Sequence, residues 1–130
     1  MKPAIFLIST LFLFATFSCN KNKAIQITDY RDNYVGNYNC LLRSKQTSFY
    51  GLDSTYTYDT TYYTVVNVII GSSADGLTIN GVNVVLHDKK TFSETRFKGY
   101  FHGKDSLYID NSHPTGVLYS NIYRGQKIKS

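Results

Sequence analysis

The stretch Tyr62-Tyr63-Thr64-Val65-Val66-Asn67-Val68-Ile69-Ile70 decides how this chain folds. Six of its nine residues are β-branched and two are tyrosines, the side chains that fit a pleated surface best. With a period of two, Tyr62, Thr64, Val66, Val68 and Ile70 fall on one face and Tyr63, Val65, Asn67 and Ile69 on the other. Both faces are rich in apolar residues, which predicts a central strand covered at least in part on each side.

Toward the N-terminus, Tyr38-Asn39-Cys40-Leu41-Leu42-Arg43 half-alternates and reads as a first strand, at an edge or closing the sheet. Between these two runs, Ser44 to Thr61 holds one aliphatic residue, Leu52, and predicts a long exposed hairpin or excursion. Toward the C-terminus, Gly71 to Gly76 is a turn in which Asp75-Gly76 supplies positive φ. Leu77 to Asn80 and Val82 to Leu86 flank Asn80-Gly81, the strongest hairpin signal in the chain. After His87 to Lys90 come Thr91 to Thr95 and a run in which Phe97, Gly99 and Phe101 share one face. The last pair, Ser106 to Asp110 and Val117 to Tyr123, is joined by the loop Asn111 to Gly116. Strands thus follow one another with turn chemistry between them, and no segment after residue 18 keeps helical periodicity. The expected fold is all-β: an antiparallel meander of roughly seven to nine strands forming a small barrel or sandwich, with a greek key as the competing topology.

The chain has 130 residues. Its first 18 read as an export signal: Lys2, then Ala4 to Phe17 with 11 apolar residues of 14, then Ser18-Cys19. That apolar run would rise only about 21 Å as a helix, short of a hydrocarbon core of about 30 Å. The expected organisation is a signal over 1–18, a polar tether over 19–28, one β-domain over 29–124 and a basic tail over 125–130. Removing the signal leaves 12 Tyr against 4 Phe, two Ala and one Glu, so the remainder is tyrosine-rich and poor in helix formers. Its balance is 13 Lys+Arg to 9 Asp+Glu, spread along the chain, which argues for a solvated surface near anionic lipid or polymer and against nucleic acid.

Thr16-Phe17-Ser18-Cys19 resembles a bacterial lipoprotein signal, with a small residue before the cysteine and Thr16 where Leu is usual. The resemblance implies lipid attachment at Cys19, a membrane partner held through that lipid, and a place in the bacterial envelope, at the outer membrane facing the periplasm. Acylation with more than one chain gives stable anchoring. Tyr34-Val35-Gly36-Asn37-Tyr38-Asn39-Cys40 in turn resembles the opening of small Bacteroidetes-type lipoproteins with lipocalin-like or calycin-like β-domains, a family of unknown function. That likeness implies a barrel and transfers no catalytic residue. Lipid-anchored inhibitors of C-type lysozyme are also similar in size and in a Tyr-x-Cys near the first strand. They use a disulfide and a Tyr-Trp motif, however, and this chain has no Trp.

With Cys19 acylated, Cys40 has no partner in the chain and reads as a small core residue. His87, His102 and His113 all fall at or beside predicted turns, without metal-ligand spacing, so no metal or cofactor is expected. No Gly-x-Ser-x-Gly elbow is present, and a single glutamate, Glu94, makes a carboxylate pair hard to build. No catalytic residue is assigned and the chain reads as a non-enzyme. Tyr50, Tyr56, Tyr58, Tyr62 and Tyr63 cluster in sequence and suggest a patch for a protein or glycan partner, since Tyr joins a rigid apolar face to a hydroxyl. The expected function is a binding or structural module. The alternatives are a carrier of a small apolar ligand, which needs a hollow barrel, and an inhibitor of an envelope hydrolase.

Overall fold

The computed structural model describes residues 28–50, 54–115 and 117–129; Cys19, the signal and the tether through Ile27 lie outside them. Among the described residues one 3₁₀ turn, Tyr30–Asn33, precedes eight strands. These are β1 (Gly36–Tyr50), β2 (Ser54–Ile70), β3 (Gly76–Ile79), β4 (Val82–His87), β5 (Thr91–Glu94), β6 (Phe97–His102), β7 (Ser106–Thr115) and β8 (Val117–Lys127). Each pairs antiparallel with the next, and β8 returns to pair with β1, so the meander closes as a barrel rather than a sandwich or greek key. Closure satisfies the two edges that an open sheet would leave exposed.

Turn chemistry explains most of the joints. Asn80 and Gly81 both take positive φ, 47° and 83°, as a two-residue hairpin matching strand twist requires. Asp88 and Lys89, at 51° and 57°, do the same between β4 and β5. The Gly71–Gly76 turn departs from expectation: Gly76 keeps an ordinary φ and opens β3. A Cβ there would meet Ser73 Oγ and press on the Ser73 backbone, while Gly71 N donates to Gly76 O at 3.0 Å.

The strands are of two lengths. β3 to β6 have four to six residues, whereas β1, β2, β7 and β8 have 10 to 17. The long four therefore run past the barrel as a flap in the order β2-β1-β8-β7. The flap decides between two readings of one segment and corrects two other expectations. Ser44 to Thr61 is the hairpin, not the excursion: it pairs residue by residue, from Ser44↔Thr60 to Ser48↔Tyr56. Thr and Tyr are strand formers, and aliphatics are absent because no barrel core lies beneath them. Asn111 to Thr115 belongs to β7, continuing the ladder with β8. Residues 125–127 belong to β8, not to a tail, because Gly125 pairs with Cys40 at the closing seam.

The inner face of the lower half is the core: Tyr38, Cys40, Val66, Val68, Leu77, Ile79, Val84, Phe92, Phe101, Leu107 and Ile109 are all buried. In β2 the alternate residues Val65 and Ile69 are 54% and 48% exposed, so the covering expected on both faces exists only on one. A single closed sheet leaves its outside to solvent. The turn before β1 closes the lower end. Tyr34 stacks on Phe101 with centroids 4.3 Å apart and donates from its hydroxyl to Lys89 O at 2.8 Å. Tyr38 donates to Tyr34 O at 2.9 Å. Arg31 bonds both carboxylate oxygens of Asp29 and donates to Ser73 O at 2.6 Å. Tyr30 donates to Asp75 at 2.7 Å, and desolvation together with that carboxylate pushes its hydroxyl up to about 12.

Candidate functional site

Strand parity sorts the sequence-predicted tyrosine patch. Tyr56, Tyr58 and Tyr62 share the inward parity of Val66 and Val68, whereas Tyr63 points the other way, with Val65. Tyr50 ends β1, where it pairs with Ser54. The five are therefore not one patch. The inward three belong to the flap, whose rungs read Thr60–Ser44–Asn121–Asn111 and then Tyr58–Gln46–Tyr119–His113 across β2, β1, β8 and β7. Ser48 is buried there, and Gln46 Nε2 donates to Ser48 Oγ at 3.4 Å. Tyr123, one rung below, is held above the usual tyrosine range by desolvation first and by nearby Tyr62. His113 Nδ1 is buried without a hydrogen-bond partner among the described residues.

The flap leaves the barrel interior itself filled. Tyr38, Phe92, Phe101, Leu77, Ile79 and Ile109 are its largest fully buried side chains and occupy its axis. Cys40 is a free, buried thiol, as read from the sequence, and desolvation pushes it up to about 11. It is held neutral and away from water. His87 and His102 end β4 and β6 and are exposed, while His113 lies inside β7 rather than in a loop. Among the described residues no three His, Cys, Asp or Glu side chains come together as metal ligands. No helix among them is long and apolar enough to cross a membrane.

On the outer wall the register builds a second arrangement. Tyr100, Tyr108, Arg124, Leu41 and Tyr63 stand opposite one another on β6, β7, β8, β1 and β2 as one transverse rung. Tyr100 and Tyr108 stack with centroids 5.1 Å apart and planes inclined by 23°. They border a groove of about 300 Å³ completed by His102, Ser106, Arg124 and Gln126. In it, Gln126 Nε2 donates to Ser106 Oγ at 2.9 Å. Arg124 also borders a smaller depression of about 180 Å³ beside Leu41, Arg43 and Ile122.

Charge pairing separates Arg124 from Arg31, Arg43 and Lys98, though Arg96 shares its lack of an acidic partner among the described residues. Arg43 holds Asp59 at 2.6 Å, Arg31 holds Asp29 at 2.6 Å, and Lys98 lies 3.7 Å from Asp110. Arg124 has no carboxylate partner among the described residues. A groove of about 460 Å³ on the flap is lined by Lys45, Lys98, Ser112 and Ser120. Its Lys98 lies beside Asp110, while Lys45 stands opposite Asp59, whose carboxylate Arg43 already holds. Sequence reasoning singled out the cluster from Tyr50 to Tyr63 and missed the meeting of Tyr100 and Tyr108 with Arg124. The signal was present as a spacing: Tyr100 and Tyr108 are equidistant from the Gly103-Lys104-Asp105 turn, which makes them cross-strand neighbours.

Comparison of the chain with protein-family models, with curated proteins and with solved structures finds no match in any of the three.

Proposed function

We propose that this protein is a non-catalytic binding module of the bacterial envelope, lipid-anchored at Cys19, which takes an acidic saccharide in the outer-wall groove. One observation carries the reading: an arginine without an acidic partner sits in the sheet wall beside a stacked tyrosine pair. The exposed Tyr100 ring, backed by half-buried Tyr108, suits the apolar face of a pyranose. The Arg124 fork suits a sugar carboxylate, which it grips with two parallel hydrogen bonds. Gln126, Ser106 and His102 surround it with groups that bond hydroxyls. The groove volume of about 300 Å³ is at the lower end of small-ligand sites, in keeping with one or two sugar rings. The filled barrel axis favours this outer site over an internal carrier chamber. The signal-like residues 1–18 and the cysteine after them support the anchor.

Calorimetric titration of the purified chain with uronic-acid oligosaccharides and their neutral counterparts tests the groove. Uronates should bind and neutral sugars should bind more weakly. Arg124→Ala should weaken uronate binding about tenfold or more, the scale of a lost charge-assisted contact. Equal binding of both sugars, or no loss in Arg124→Ala and Tyr108→Ala, overturns the assignment. Labelled palmitate tests the anchor separately: incorporation that disappears in Cys19→Ala supports it, and an unlabelled, freely soluble chain refutes it.

A further inference from the structure

β2 is paired on only one side for most of its length. β1 covers Ser54 through Val68, but β3 reaches only Val68, Ile69 and Ile70. Asn67 is served by one side chain and one backbone group: its N–H donates to Asn80 Oδ1 at 2.8 Å and its carbonyl accepts from Asn80 N at 2.9 Å. Because Asn67 bonds away from β1, the odd-numbered residues of β2 all direct their N–H and C=O to that side. Thr55, Thr57, Asp59, Thr61, Tyr63 and Val65 therefore present an open ladder, with no strand bonded to it among the described residues.

The other edge of the flap is blunted. β7 continues past the end of β6 only from Asn111 to Thr115, and there Pro114 lacks the N–H that would face outward. The β2 edge has neither device. Residues 54–66 contain no proline and no lysine, and their one charge, Asp59, is already paired with Arg43 on the outer face. Natural sheets rarely leave so long an edge undefended unless it is used.

We propose that this edge pairs with the same edge of a second copy, antiparallel about a two-fold axis at Thr60. The six outward residues run symmetrically from 55 to 65, so only an axis at residue 60 engages all of them. Thr55 then pairs with Val65 of the second copy, Thr57 with Tyr63 and Asp59 with Thr61. Each pair exchanges two hydrogen bonds, about a dozen in all. The register sets Asp59 opposite Thr61, leaves its own copy diagonally across the axis with each carboxylate held by Arg43, and brings Tyr58 opposite Tyr62 on the inner face, a favourable aromatic cross-strand pair. A two-fold, self-complementary interface closes after two chains, which separates it from open-ended edge aggregation. The saccharide groove lies on β6 to β8 and takes no part.

Sedimentation of the full chain in detergent tests the pairing. A particle holding two chains of 14.8 kDa is expected, reverting to one in Thr61→Pro, which removes an outward N–H and no β1 bond. Thr60→Cys tests the register: residues at the axis stand about 4.5 Å apart between Cα atoms, within disulfide reach, so mild oxidation should link two chains. Thr64→Cys should not link, because residue 64 faces Tyr56 across the axis. A single chain throughout a concentration series, or linkage through position 64 rather than 60, overturns the proposal. Capture of an extended peptide by an otherwise single chain also overturns it in favour of a different occupant. If Thr61→Pro fails to fold, the cysteine pair still decides.

Discussion

Gly125 on β8 stands directly opposite Cys40 on β1, and the Cys40 sulfur fills the place where a Cβ on residue 125 would sit. This contact lies on the seam that turns a sheet into a barrel, so the smallest side chain of β8 and the one buried thiol of β1 set how closely the two strands pack. The next ring inward is Tyr38, whose Cβ also borders that space. With the neighbourhood fully buried, there is nowhere for an added methyl to go.

Gly125→Ala should therefore cost about 1–3 kcal/mol of unfolding free energy, the usual price of overpacking. Cys40→Ala alone should destabilise by leaving a void. The double variant should cost less than the sum of the two, because removing the sulfur makes room for the new methyl. Urea unfolding of the four proteins measures the coupling, and strict additivity would show that the contact does not constrain the seam.

Alkaline stability follows from the same thiol. Burial raises Cys40 from an ordinary 9.0 to about 11 in the folded chain, so the folded state holds its proton longer than the unfolded one. The stabilisation is complete below pH 9 and is lost as pH rises toward 11, by about 1.4 kcal/mol per pH unit for each such group. Tyr30, raised to about 12, extends the loss upward. Unfolding curves from pH 8 to 11 should fall in that window, and Cys40→Ala should fall less steeply. The wild-type thiol should stay unreactive toward maleimide at pH 8 until the chain is unfolded.

The lower lid offers a third measurement. Tyr34→Ala removes the ring stacked on Phe101 and the hydrogen bond to Lys89 O. A ring pair and a hydrogen bond together predict a loss of about 1–3 kcal/mol. Tyr34→Phe keeps the stack and should lose only the smaller part. Equal losses in the two variants would mean that the hydroxyl, not the ring, holds the lid.

The lower barrel was legible because its cues are local: Val66 and Val68 alternate with exposed neighbours, and Asn80-Gly81 names its own turn. The flap was not. Ser44–Thr61 and Asn111–Thr115 have no core beneath them, so the aliphatic alternation that marks a strand is missing, and only pairing with β1 and β8 shows what they are. The tyrosine cluster was divided for a related reason. Tyr56, Tyr58 and Tyr63 are close in sequence, but a period of two splits them between faces, whereas Tyr108 and Arg124 meet only through register.

The chemistry of that meeting gives the last prediction. Arg124→Lys keeps the positive charge but replaces a planar fork with a flexible ammonium, which cannot hold both carboxylate oxygens in one plane. If the groove recognises an acidic sugar through a bidentate contact, Arg124→Lys should lose most of the affinity that Arg124→Ala loses. If charge alone attracts the ligand, Arg124→Lys should bind as wild type, and binding should weaken with added salt in both. Tyr108→Phe separates the remaining term, since it preserves the ring beside Tyr100 while removing a hydroxyl. It should bind nearly as wild type, and Tyr108→Ala should not. Titration of these four variants at low and high ionic strength therefore apportions the affinity between fork, charge and ring.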